Sequence, residues 1–389
     1  MKKTLLGTTA LVSAGLVAGP ALASDPLTVT VSGSVVTGFY FVDNDSTVAG
    51  GVTTDYDDTK VPVVARNIMI VASGTLDNGL VAGAALKMQL GDDDQGANGA
   101  NPNNADSVNM SELYAFLEGG FGRLEIGGTD GAAFKMHYSS PWFVPGNGVD
   151  SPNIYNMQNG VAASFSSSTS TFSLIAEDSN KISYFTPRLA GFQLGASFTP
   201  DAGTNDPIAN GFGVSATNTA TEDVTEIALN YAGEFGGVSL GADVFYVTGE
   251  SAAPAPTDDP EEMGVGASLG WGGFTLGGAY KQSENITPGT QGNTIAGVTL
   301  GAETDAWTVG LAYGTGPWTV GAAYFDSQSE TAAGVNAGEN NFLQVGGGYS
   351  LGAGVDVGLD VQFIEDKAAG AASTTVDSTS AGVVLAISF

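Results

Sequence analysis

The chain has 389 residues with no cysteine, 57 glycines, and 41 acidic against 11 basic residues, a net charge of −30. That balance excludes nucleic-acid binding, because no basic surface remains to displace the counterions around phosphates. A disulfide-built fold is excluded as well, and the glycines lack the Gly-X-Y period of collagen.

Lys2 and Lys3 precede an apolar run over 5–17, and Ala21-Leu22-Ala23 has the small-x-small form of a secretory cleavage site. Residues 1–23 are therefore expected to be a signal peptide, and the mature chain is expected to start at Ser24. A membrane anchor is the alternative reading, but the run is too short to span a bilayer and a strand-like segment follows at once. Loss of Lys2 and Lys3 leaves nine bases against 41 acids, a net of −32. No later run reaches the length of a spanning helix, so any membrane crossing falls to strands.

The first predicted strand is 27–41, where Leu27, Val29, Val31, Val35, Phe39 and Phe41 share one parity against Thr28, Thr30, Ser32 and Ser34. An Asp- and Thr-rich loop over 42–59 follows. Strands 60–74 and 79–91 meet at Asp77-Asn78-Gly79, whose Asn-Gly pair favours a tight reversal. In the second of them Lys87 and Gln89 oppose an apolar face that includes Leu86 and Met88. After a polar loop over 92–107, strands 108–119 and 122–129 flank Gly119-Gly120. Arg123 and Glu125 oppose Leu124 and Ile126, and a charged strand face belongs in water. The connection over 129–179 is too long for a compact fold unless it has a task.

The remaining predicted strands are 180–187, 191–200, 222–233, 237–248, 261–271, 273–283, 304–314, 317–328, 340–350, 354–365 and 380–389. Short links such as Gly272-Gly273 alternate with long ones at 201–221, 249–260, 284–303, 329–339 and 366–379. The total is sixteen. An even number returns both chain ends to one rim, where first and last strands can pair and leave no edge. The expected fold is thus all-β: a sixteen-stranded antiparallel transmembrane barrel, one domain over 24–389, with short turns at one rim and long loops at the other.

The last strands show the two faces plainly. Val355, Val357, Leu359, Val361 and Phe363 alternate with Asp356, Gly358, Asp360 and Gln362. Mid-strand aspartates are costly in oil or in a dry core, and a wet lumen removes that cost. Glu125, Asp243, Asp356 and Asp360 are accordingly candidate lumen acids. Trp271, Tyr280, Trp307, Tyr313, Trp318 and Tyr349 lie near strand ends, where interfacial belts would sit. A β-sandwich packed by the same side chains is the competing reading, and disorder is opposed by the recurring apolar blocks.

Two acidic groups, Asp55, Asp57 and Asp58, and Asp92, Asp93 and Asp94, offer hard oxygen ligands suited to calcium but lack EF-hand spacing. Their plainer reading is a hydrated, repulsive outer surface. No cofactor is required by any motif. His137 is the sole histidine, and no nucleophile and orienting acid stand in a catalytic pattern with it. The chain is not expected to be an enzyme.

Several fragments resemble one family in order and spacing. They are Thr75-Leu76-Asp77-Asn78-Gly79-Leu80, Gly119-Gly120-Phe121-Gly122-Arg123-Leu124-Glu125-Ile126-Gly127-Gly128, Ile182-Ser183-Tyr184-Phe185-Thr186-Pro187, Gly191-Phe192-Gln193-Leu194-Gly195-Ala196-Ser197-Phe198, Gly346-Gly347-Gly348-Tyr349-Ser350-Leu351-Gly352 and the terminal Phe389. Together they resemble the alphaproteobacterial general-diffusion porins, the Rhodobacter-type sixteen-stranded trimeric porins of the outer membrane. The resemblance implies a homotrimer among outer-membrane lipids, passing small hydrophilic solutes, with the third loop, 129–179, folded inward. It also implies loop acids facing basic wall residues, and a terminal Phe read by the outer-membrane assembly machinery. On this chain the loop acids are Asp130 and Asp150, and the wall bases are Lys87, Arg123 and Arg66. Arg66 shares parity with Ile68 and Ile70, which leaves a rim or bulge position open. So few bases favour a modest cation preference over the family's strong transverse field. A solute-selective porin is the alternative, and an outer-surface structural or adhesive barrel is the reading from another class.

Overall fold

The computed structural model describes residues 27–48, 50–90, 108–150, 167–202, 221–251, 258–286, 303–331, 333–368 and 373–389. The signal-peptide reading of 1–23 and the acids Asp92, Asp93 and Asp94 lie outside the described residues.

The strands are β1 (Thr28–Val48), β2 (Val52–Lys60), β3 (Val63–Thr75), β4 (Val81–Leu90), β5 (Val108–Gly119) and β6 (Gly122–Gly128). They continue as β7 (Asn180–Phe185), β8 (Phe192–Asp201), β9 (Thr221–Phe235), β10 (Val238–Ser251), β11 (Glu261–Trp271) and β12 (Phe274–Glu284). The last are β13 (Glu303–Thr315), β14 (Trp318–Glu330), β15 (Asn336–Gly352), β16 (Val355–Ala368) and β17 (Thr374–Ser388). All are antiparallel neighbours in one sheet, and β1 pairs with β17 from Ser34↔Ser388 to Val48↔Thr374, closing the barrel. Strands β2 and β3 both lie against β1, one on each half, so they form a single stave and the barrel has sixteen. The break falls at Pro62, which has no N–H for the ladder. Its carbonyl instead accepts Gly38 N (3.1 Å) and Thr37 Oγ1 (3.0 Å) across a bulge.

One sequence expectation gives way here. The long first loop over 42–59 is mostly hairpin, with Asp43↔Asp57 and Asp45↔Asp55 in register above the apolar belt. Thr47 and Thr53 join hydroxyls at 3.0 Å, and Gly50 and Gly51 turn the chain with φ of 104° and 77°. Threonine and valine favour strand strongly enough to carry the ladder past the membrane, where water screens the facing carboxylates. Several other strands also extend at the loop rim, β17 starting at Thr374 rather than 380.

The outward face is apolar. Leu27, Val29, Phe41, Leu359 and Val383 are all more than half exposed on it. Two aromatic rows bound this band. Trp307 packs on Tyr324 (5.3 Å) toward the loop rim, while Trp318 on Tyr349 and Phe274 on Tyr313 (both 4.5 Å) lie toward the turns. Ring bodies in oil with polar tips in the headgroups are what such positions favour. No helix among the described residues is long and apolar enough to cross a membrane, and strands do the crossing.

Inside the barrel, residues of the 129–179 segment run along the wall from β8 to β1. Their path is a track of glycines. An added Cβ would stand 2.5 Å from Ser139 O at Gly277, 2.8 Å from Val144 at Gly346 and 2.7 Å from Pro145 at Gly358, and at Gly266 it would meet the Tyr138 carbonyl. Bare strand backbone lets the loop's main chain approach closer than any side chain would allow. Two apolar clusters seal the contact, one around Met136, Ile175 and Phe245, the other around Tyr40, Phe143, Phe325 and Phe342. Part of the inner wall is therefore dry, packed under the loop rather than bathed by the lumen.

Gly277→Val is expected to lift the loop while the sixteen-stave ladder still forms. Single-channel conductance should change and protease should gain access to residues near Ser139 in the folded barrel; unchanged conductance and protection would rule out the track as the loop's seat.

Candidate constriction site

The loop leaves β6 at Gly128 and returns to β7 at Asn180, and these two residues are register partners. Residues just beyond the two ends must therefore be neighbours. Asp130 and Asp178 do meet there, with Glu112 of β5, their carboxylate oxygens all within 4.8 Å of one another. Burial first, then Glu112, holds the Asp130 carboxyl above the usual range; burial, then Asp130, pushes Asp178 up further.

Bases stitch this foot to the wall. Lys87 Nζ lies 2.7 Å from Glu112 Oε1, and Thr129 Oγ1 donates to the other oxygen at 2.9 Å. Arg123 bridges Glu125 (2.6 Å) and Glu118 (2.9 Å), with its guanidinium 4.0 Å over the Phe116 ring. The loop's single helical turn, α1 (Ala132–Lys135), brings Lys135 Nζ to 2.5 Å from the second oxygen of Glu125. Two wall groups anchor this turn, since Ser197 Oγ and Glu226 Oε2 each accept a loop N–H at 2.9 Å. Lys181 donates to the carbonyls of Thr129, Ala176 and Glu177, binding both loop ends to β7.

The charges are thus interleaved. Loop acids Asp130 and Asp178 face Lys87, while the loop base Lys135 faces the wall acid Glu125. Opposite signs alternate over a few ångströms on one side of the barrel, so each charge is offset in part by its neighbours.

Of the candidates from sequence, the structure brings Lys87, Arg123, Glu125 and Asp130 together here. Asp150 lies elsewhere, inside the loop, where it accepts Thr171 N (2.7 Å), Ser170 Oγ (2.9 Å) and the hydroxyls of Ser139 and Thr171. Asp243 sits on β10 and holds His137 and the Tyr138 N–H. Asp360 is fully buried and accepts four donors: Tyr40 Oη (3.0 Å), Asn147 Nδ2 (3.1 Å), Gln344 Nε2 (2.8 Å) and Gln362 Nε2 (2.6 Å). A buried carboxylate so satisfied is a fastening for the loop tip. Asp356 faces inward near the turn rim, opposite Ser350. The Arg66 backbone pairs with Val35, and its side chain lies outside the described residues.

Sequence reasoning passed over Glu112, Lys135, Lys181 and Asn147. Pairing of the loop ends was the signal that could have promoted Asp178, since it flanks β7 as Asp130 flanks β6. The others needed the loop's path. Among the described residues, two carboxylate trios are close enough to share a cation: the foot just described, and the exposed Asp43, Asp55 and Asp57 on the β1–β2 hairpin. Asp58 stands apart from that trio and accepts the Thr59 N–H at 2.7 Å.

A closed barrel, oily outside and carrying a long loop fastened within, defines an outer-membrane channel protein. Residues 7–369 match the family model described as Gram-negative porin, and the chain belongs to that family. It is an outer-membrane, multi-pass β-barrel, of a kind that forms channels rather than catalysing reactions. An uncharacterised protein of Rickettsia conorii is 25% identical over 276 residues, covering 54% of this chain and 60% of the relative. The chain thus spans about three fifths of that relative's length. OmpT of Vibrio cholerae in its trimer form is similar at 14% identity and TM-score 0.57, over 94% of this chain and all of that one. An anion-selective porin from Comamonas acidovorans is similar at 18% identity and TM-score 0.57, over 93% of this chain and all of that one. At such identities the likeness shows the fold alone.

Asp360→Leu is expected to release the loop tip, leaving four buried donors unpaired, at a cost of about 2–3 kcal/mol to loop docking. Proteolysis near Asn147 in the folded barrel should rise steeply, and Asp360→Asn should restore part of the protection.

Proposed function

We propose that the protein is a passive, water-filled diffusion channel for small hydrophilic solutes and ions, modestly cation-preferring and working as a homotrimer. The observation that carries the preference is the commitment of the interior bases. Lys87, Arg123, Lys135 and Lys281 each contact a carboxylate, and Lys181 is held by three carbonyls. Arg188, near the turn rim, is held by neutral oxygens of Gly191, Gln193 and Asn230, and the 41 acids of the chain outweigh it. In a wet channel a constriction charge is worth about 1 kcal/mol to a passing ion, enough for preference but not exclusion.

The trimer reading is supported by the distribution of the outward aromatics. The two rows described above stand on β12–β15, whereas described outward side chains of β3–β5 are aliphatic, among them Ile70, Ala72, Ala84, Leu86, Leu113 and Ala115. A smooth face without headgroup anchors suits contact with another copy better than contact with lipid. Phe389 exchanges both backbone hydrogen bonds with Gly33 (2.9 and 3.0 Å), so the proposed assembly signal sits on the closing seam. The Rhodobacter-type branch is the finer family reading, resting on the quoted fragments. Calcium is the cation we assign to the Asp43, Asp55 and Asp57 trio, where it would relieve the repulsion across the hairpin.

Liposome swelling with uncharged solutes of graded size tests the main reading. A smooth size cutoff is expected; selectivity for one chemical group would indicate a solute-selective porin, and no flux a structural barrel. Zero-current potentials in a salt gradient should show cation preference, increased by Lys87→Met; clear anion selectivity would sink it.

That preference should also depend on pH. Carboxyls held above the usual range gain protons first as pH falls, so Asp130 and Asp178 lose their negative charge before ordinary acids do. Cation preference should therefore weaken on mild acidification, and Asp178→Asn should flatten that part of the curve in reversal-potential measurements.

A further inference from the structure

His137 is the only histidine in the chain, and its side chain is fully buried between the loop and β10. Nδ1 lies 2.9 Å from Asp243 Oδ2, and Asp243 Oδ1 takes the Tyr138 N–H at 2.7 Å. Nε2 lies 3.3 Å from Thr171 Oγ1 on the loop's returning arm. The rings of Phe172 (4.9 Å) and Phe245 (5.2 Å) meet the imidazole edge to face and keep water away.

With Asp150 ionised, proton counting along this chain of groups has one complete solution. A hydroxyl has a single proton to give, and that of Thr171 goes to Asp150. Asp150 is already occupied by Ser139, Ser170 and the Thr171 N–H. Nε2 therefore faces a hydroxyl oxygen that can only accept, and a bare ring nitrogen would set lone pair against lone pair in a dry seam. Nδ1 faces a carboxylate and also needs a proton. Both contacts are made only by the doubly protonated ring.

Charged groups face the ring from several elements. Asp243 approaches from β10, and Asp150 from the end of the outgoing segment that carries the ring. Glu226 of β9 holds the Ala133 N–H one turn back, and Glu262 of β11 lies 3.3 Å from Lys281 of β12, whose ammonium donates to Phe172 O. Four carboxylates thus share the neighbourhood with the ammoniums of Lys281 and Lys181 and with the Arg188 guanidinium, which acts on Tyr138, the next residue and a neutral phenol.

We propose that His137 is a positioning residue that works as an imidazolium pin, fastening the outgoing arm of the constriction loop to Asp243 on the wall and to the returning arm through Thr171 and Asp150. The clamp is complete while the ring holds two protons. Removing one on raising the pH costs the Nε2–H contact and slackens the two arms against each other. The charge state is independent of the channel reading; only the electrical consequence rests on it.

One histidine makes the test direct. Barrel labelled with 15N-histidine and folded in detergent should give one imidazole, with both nitrogens in the protonated range near neutral pH and a single deprotonation on raising it. Asp243→Asn should move that deprotonation to lower pH. In planar bilayers, open-channel noise should grow as pH rises in the parent, and His137→Gln should lose that dependence. A neutral ring near pH 7, with the proton on Asp150 instead, would overturn the proposal, as would equal pH dependence of noise in parent and His137→Gln. Should His137→Gln not fold, the nitrogen shifts of the parent still decide. An imidazolium found in a barrel that passes no solute would uphold the pin and reject the channel.

Discussion

Everything in this molecule depends on a hydrogen-bond ladder with no open end. Strand backbone in hydrocarbon has no water to turn to, so each N–H and C=O on the lipid side must find a neighbour. Pairing of β1 with β17 supplies the last of these neighbours, and the terminal Phe389 is drawn into the same seam through Gly33. Where the ladder fails, at Pro62, the freed carbonyl is reused within two residues of the break. Once closed, the ring fixes which side chains face lipid and which face inward, because parity along each strand leaves no third choice.

The inward loop meets the same constraint in another form. Its main chain runs inside the barrel, and its polar groups must be met by the wall or by the loop itself. Glycines on successive strands admit the backbone, while Ser197, Glu226, Asp243, Lys281 and Asn340 supply donors and acceptors along the way. Many of the inward polar residues are thereby spent on holding the loop. What faces the passage is a smaller set than the sequence of polar positions suggests, and the sign of its potential depends on that remainder.

This also separates position from role among the acids. Asp130 and Asp360 both read as inward carboxylates, yet one stands at the loop's foot among three bases and two other acids, and the other is closed over by four neutral donors. A carboxylate among neutral donors serves here to hold the loop. One among like charges is sensitive to protonation.

The sequence by itself determined the barrel: alternation of Val355, Val357, Leu359 with Asp356, Gly358, Asp360, the even strand number, and the terminal aromatic were all legible, because strand parity is a local property with period two. It also placed Lys87 and Arg123 on the inner face for the same reason. The segment 42–59 reads as loop because its acids mask the threonine and valine pattern of the hairpin. Only tertiary structure decided that Asp178 rather than Asp150 joins Asp130, that Asp360 fastens Asn147, and that His137 meets Asp243. Those contacts join residues up to hundreds of positions apart, and the path of an irregular loop is set by the wall it leans on, which no periodicity along the chain records.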